Sequence, residues 1–127
     1  MQAYAQITWF YYHDLQKAAH FYEDILQFNL VEDQGMARIY KIGQASYFGI
    51  VDPNGHCQPQ KKNAALLTLV VDQVSEWHIY LKNKGVQVSD ILEGKKVKQH
   101  FFLQDPSGYE VEIQTFRDQH VQTMFEG

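Results

Sequence analysis

The feature that most narrows what this chain can become is a pattern of elements that runs twice. Residues 5–12 (AQITWFYY) are rich in β-branched and aromatic side chains and read as a strand. Asp14 follows as a helix N-cap. Apolar residues then recur at Leu15, Ala18, Ala19, Tyr22, Ile25 and Leu26, the spacing of one helical face. Three short strands are expected next, at residues 28–31, 36–42 and 46–51. The order then begins again. Residues 64–71 (AALLTLVV) form a strand, and Asp72 precedes a helix with Val74, Trp77, Tyr80 and Leu81 on one side. Gly85 suits the position after that helix, where positive φ must be tolerated. Strands at 86–88, 99–103 and 109–116 complete the second pass, the last two joined by the turn Asp105-Pro106-Ser107-Gly108. A single shift lays Ile7 on Leu66, Leu15 on Val74 and Tyr22 on Leu81. Few identities survive that shift, so the repeat is one of pattern. It predicts an α+β fold of two βαβββ modules, with helices covering one sheet face and the other left free to border a cavity.

The boundaries follow. Module one spans about residues 5–52 and module two about 64–116, within one domain of 127 residues. The polar, turn-rich stretch at 53–63 reads as a linker and residues 117–127 as a tail. Fifteen acidic against eleven basic residues give a net charge of −4, so there is no basic excess for a phosphate backbone and nucleic acid is not an expected partner. No apolar run reaches the ~18 residues of a membrane span, and the N-terminus has no basic-then-apolar leader pattern. A cytoplasmic protein without membrane contact is the expectation. The single cysteine, Cys57, excludes an intramolecular disulfide and reads as a small loop residue. Two Trp, eight Tyr and eight Phe make 14% of the chain aromatic, which serves either a core or the wall of a small-molecule pocket.

Three strings give the pattern a family likeness. HDLQKAAHFYEDILQF (13–28), VVDQVSEWHIYLKNKGV (70–86) and, most specifically, FFLQDPSGYEVEIQTF (101–116) stand in the right order and separation. Together they resemble the vicinal oxygen chelate superfamily, which includes glyoxalase I, bleomycin-resistance proteins and extradiol dioxygenases. The resemblance covers about residues 5–116. It implies a U-shaped mixed sheet around an open cleft, and a homodimer. It also implies, in metal-using members, one divalent ion held by side chains from the first and last strands of each module.

Carried over residue by residue, the four ligand places fall on Ile7, near Gly49 (with Tyr47 or Val51 on the same face), on Leu66 and on Glu112. Hydrocarbon offers no lone pair, and one carboxylate is a poor cage for a transition ion. The expectation is therefore no metal and no cofactor, with one divalent ion as the alternative. Strand alternation extends the cavity-facing set. Trp9 and Tyr11 go with Ile7; Thr68 and Val70 go with Leu66; Glu110 and Gln114 go with Glu112. By analogy with the family, His100 and Phe102 also face inward. Trp9, Tyr11, Tyr47, His100, Phe102, Glu110 and Gln114 are thus the candidate ligand-binding residues, with Glu112 as an anchor or a general base. The expected function is metal-free binding of an aromatic or cationic small molecule. The alternative is a lyase, isomerase or dioxygenase that uses Glu112 as base or residual metal ligand. Plain core packing competes for Trp9 and Tyr11, and a structural hydrogen bond competes for His100.

Overall fold

A computed structural model describes residues 1–3, 5–56, 58–60 and 65–126, so Cys57 and part of the expected linker lie outside the described residues. The chain forms two compact units, Met1–Lys62 and Asn63–Gly127.

In the first unit, β1 (Gln6–Tyr11) leads into α1 (Leu15–Ala19), whose first turn is capped by Asp14 accepting from the Lys17 N–H. The helix does not stay α. It widens into a π-helical turn at His20–Ile25, where the Leu26 N–H reaches the Phe21 carbonyl five residues back. The wider turn coincides with burial of the adjacent Phe21 and Tyr22 together. β2 (Asn29–Asp33), β3 (Ala37–Lys41) and β4 (Ser46–Val51) complete a four-stranded mixed sheet in the order β1-β4-β3-β2, with β1 and β4 parallel. Alternation decides what each strand buries. Phe10 and Tyr12 point to the helix side, where they meet Phe21, Tyr22, Tyr40 and Phe48. Tyr22 and Phe48 have ring centroids 4.8 Å apart, and the Tyr12 hydroxyl donates to that of Tyr22 at 3.1 Å. Much of the aromatic excess therefore fills this core. A carboxylate borders it: Glu23 accepts from both Arg38 and the Tyr40 hydroxyl. Burial first, and then that hydrogen bond, pushes the Tyr40 phenol far above its ordinary value.

In the second unit, β5 (Leu66–Val70), α2 (Val74–Asn83), β6 (Val97–Gln104) and β7 (Glu110–Phe116) form a three-stranded mixed sheet in the order β5-β7-β6, with α2 packed on β6 and β7. Gly85 takes φ +81°, as its place after the helix requires. The Asp105 carboxylate accepts from the Ser107 and Tyr109 N–H groups and fixes the β6–β7 turn. The strand expected at 86–88 is reduced to an isolated bridge from Val88 to Leu103, followed by one from Leu92 to His100. Ser89 is the reason. Its N–H donates to the Phe102 carbonyl while its hydroxyl accepts the Phe102 N–H at 2.8 Å, so a side chain replaces the strand ladder there. The tail, unassigned in sequence, carries α3 (Gln119–Phe125), N-capped by Asp118. Its buried Gln122 bonds the Phe116 N–H and the Val71 carbonyl, which ties the helix to the sheet.

Gly49 shows how tightly the outer face of the first sheet is built. It pairs with Trp9, and a Cβ at Gly49 would overlap the Trp9 indole. Gly49→Ala should therefore cost about 1–3 kcal/mol of stability in a urea melt. Most of that cost should vanish in a Trp9→Ala background. An equal cost in both backgrounds would show that the indole is not what Gly49 makes room for.

Candidate functional site

Along β7 the residues alternate between two faces. Val111 and Ile113 are buried on the side of α2, while Glu110, Glu112 and Gln114 take the opposite face. On that face Glu112 is only 8% exposed. A carboxylate this deep needs partners, and it has two. The Thr68 hydroxyl, opposite it on β5, donates to Oε1 at 2.8 Å. His100 Nδ1, from β6, lies 2.7 Å from Oε2. An ionised carboxylate has no proton to give, so Nδ1–H is the donor. The His100 ring meets that of Phe102 edge-on, centroids 5.2 Å apart.

Phe102 links this cluster to an open groove of about 570 Å³ in the same unit, lined by residues 87–89 and 102–105 and by Glu110. The structure thus brings His100, Phe102 and Glu112 together, sets Glu110 and Phe102 on the groove, and places Gln114 opposite His100. Gln114 is 5% exposed. Trp9, Tyr11 and Tyr47 belong to the other unit. There they share the sheet face opposite the aromatic core, Trp9 covering Gly49. Thr68 stood in the sequence only as an alternation neighbour of Leu66. Its bond to Glu112 depends on the parallel β5–β7 register, which no local motif encodes. Ser89 carried no signal at all.

Over residues 4–113 the sequence matches the family described as the Glyoxalase/Bleomycin resistance protein/Dioxygenase superfamily. The chain belongs to that superfamily. No curated protein matches it in sequence. Solved structures share the superfamily's fold. An antibiotic-binding protein, TnmS3, from Streptomyces sp. CB03234 superposes with a TM-score of 0.74 at 22% identity, covering 91% of this chain and 97% of that one. A lactoylglutathione lyase from Agrobacterium tumefaciens gives 0.71 at 20% identity, covering 86% and 90%. A glyoxalase/bleomycin resistance protein from the same Streptomyces strain gives 0.67 at 22%, covering 85% and 96%.

Against the superfamily's ligand places, Ile7 and Leu66 are aliphatic and 42% and 48% exposed. The Gly49 position is covered by an indole. Among the described residues no three His, Cys, Asp or Glu side chains gather where they could hold a metal ion.

Glu112 should be held more by Thr68 and His100 than by solvent. Thr68→Val should cost about 1–3 kcal/mol, the range for a hydrogen bond to a charged group. The same change should cost under about 0.5 kcal/mol once Glu112 is leucine, a difference read by a double-mutant cycle of denaturant melts. Additive costs would contradict the pairing.

Proposed function

We propose that this chain is a metal-independent small-molecule-binding protein of the glyoxalase/bleomycin-resistance type, acting as a cytoplasmic homodimer and taking an aromatic or cationic ligand. One observation carries the reading. Both oxygens of Glu112, the sole ionisable group at the four ligand places, already accept hydrogen bonds from Thr68 and His100. The residues present therefore do not fit a divalent ion: three places offer no donor, and a single carboxylate, already hydrogen-bonded by Thr68 and His100, is a poor cage for one. What remains on the face is an aromatic ring, Phe102, with polar groups beside a groove. An apolar surface with a few placed polar anchors suits a small organic ligand. The resemblance to an antibiotic-binding protein supports the same class.

The Glu112–His100 pair also favours a second reading, since a carboxylate-oriented imidazole can accept a proton. Under it, the chain turns over a substrate of the lyase, isomerase or dioxygenase type. Elemental analysis and thermal melts separate these readings. The proposal expects no transition ion near one per chain, and no rise in melting temperature with zinc, nickel or manganese. It expects a rise with some member of a panel of neutral and cationic aromatics; a ligand at a hundred times its Kd adds about 2.7 kcal/mol. One tightly held ion per chain would overturn the metal-independent reading. Hemithioacetal turnover that collapses in Glu112→Gln would establish the catalytic one instead.

A further inference from the structure

The groove that Phe102 borders is lined by charge of one sign. Residues 87–89, 102–105 and 110 line it, and none of them is Lys, Arg or His. The stretches that supply them, 85–94 and 99–116, contain no Lys or Arg at all. Along β6 the first lysine before Gln104 is Lys98, six positions away, which is roughly 20 Å at the ordinary rise of a strand. That is more than about two Debye lengths at physiological salt, so its charge is largely screened at the groove. Lys82 and Lys84 belong to the end of α2, which packs on the face that carries Val111 and Ile113. His100, on the same strand as Phe102, is paired with Glu112.

Two carboxylates remain on the groove, and they differ in what they can do. Asp105 is 5% exposed, and its Oδ1 already accepts the Ser107 and Tyr109 N–H groups. It belongs to the turn. Glu110 is exposed at the start of β7, and among the described residues nothing bonds or pairs with its carboxylate. Gln104 faces Glu110 across the two strands, and Phe102 lies two residues before Gln104, on the same face of β6.

A free carboxylate, an aromatic ring and an amide carbonyl on one groove share a preference for positively charged N–H donors. The carboxylate accepts charge-assisted hydrogen bonds. The ring attracts a cation through its quadrupole. The Gln104 amide oxygen can accept a further N–H. A bare metal ion is poorly served, because hard ions need several oxygen ligands and among the described residues no three His, Cys, Asp or Glu side chains gather to supply them. The volume of about 570 Å³ suits a small molecule. We propose that this groove binds a small organic ammonium ion, with its N–H groups on Glu110 and its apolar part against Phe102.

This rests on the small-molecule reading above and narrows it from aromatic or cationic to cationic. The test is calorimetric titration of the full chain with three probes of one shape: naphthylmethylammonium, naphthylmethanol and naphthoate. The ammonium ion should bind at least about tenfold more tightly than the alcohol, as a hydrogen bond to a charged group predicts, and naphthoate should bind weakest. Added salt should narrow the gap. Glu110→Gln keeps the size of the side chain and removes its charge. It should bring the ammonium ion down to the affinity of the alcohol, with the alcohol's own binding and the melting temperature close to the parent's. Glu110→Lys should reverse the order and make naphthoate the tightest of the three, a result that a merely structural role for Glu110 would not give. Equal binding of ammonium and alcohol to the parent chain, or tighter binding of naphthoate, overturns the inference and leaves small-molecule binding standing. An ammonium preference that survives Glu110→Gln overturns it too, since the cation then sits elsewhere. Failure of all three probes to bind at millimolar concentration overturns both.

Discussion

A carboxylate sunk in a sheet face must be satisfied, and the second unit is arranged around how Glu112 is. Thr68 reaches it from the parallel neighbour and His100 from the antiparallel one, so all three strands of the sheet meet at one side chain. The arrangement has a chemical consequence. A carboxylate holding two protein donors is a fixed acceptor rather than a free ligand, and its charge acts through the imidazole it orients. The His100 ring in turn meets Phe102 edge-on.

The first unit solves a different problem. Its helix side is packed with aromatic rings that touch one another at 5–6 Å centroid distances, so adhesion comes from large buried area and edge-to-face contacts. The π-helical turn belongs to this packing. It accompanies the burial of two consecutive aromatics and carries Glu23, whose carboxylate closes on Arg38 and Tyr40. On the opposite face the Trp9 indole lies over Gly49, where a Cβ would overlap it.

Much of this was legible in the chain. Period-two and period-3.6 patterns place β1, α2 and β7, and Asp14 and Gly85 mark helix ends, because these signals come from local backbone chemistry. The D-P-S-G-Y string marks the turn, because Asp105 satisfies two of its own backbone N–H groups. What stayed hidden depends on contacts distant in sequence. The strand at residues 86–88 reads well as a β-branched run, but Ser89 captures the ladder partner with its hydroxyl. The π-helical turn has no sequence signature distinct from an α-helix of the same apolar spacing. The tail helix is held by Gln122, a residue type that says nothing of burial until the Val71 carbonyl is seen beside it. Family analogy sets His100 and Phe102 on the face of Glu112, but it does not say which atom bonds which.

Two protein donors hold Glu112 in this structure. The imidazole nitrogen spectrum of His100 in isotopically labelled full-length chain reads this directly. In the neutral imidazole the proton should sit on Nδ1 and not on Nε2, and neither signal should shift with one equivalent of zinc. Loss of the Nδ1 proton signal, or a shift of either nitrogen to a metal-bound position on adding that equivalent, would contradict it.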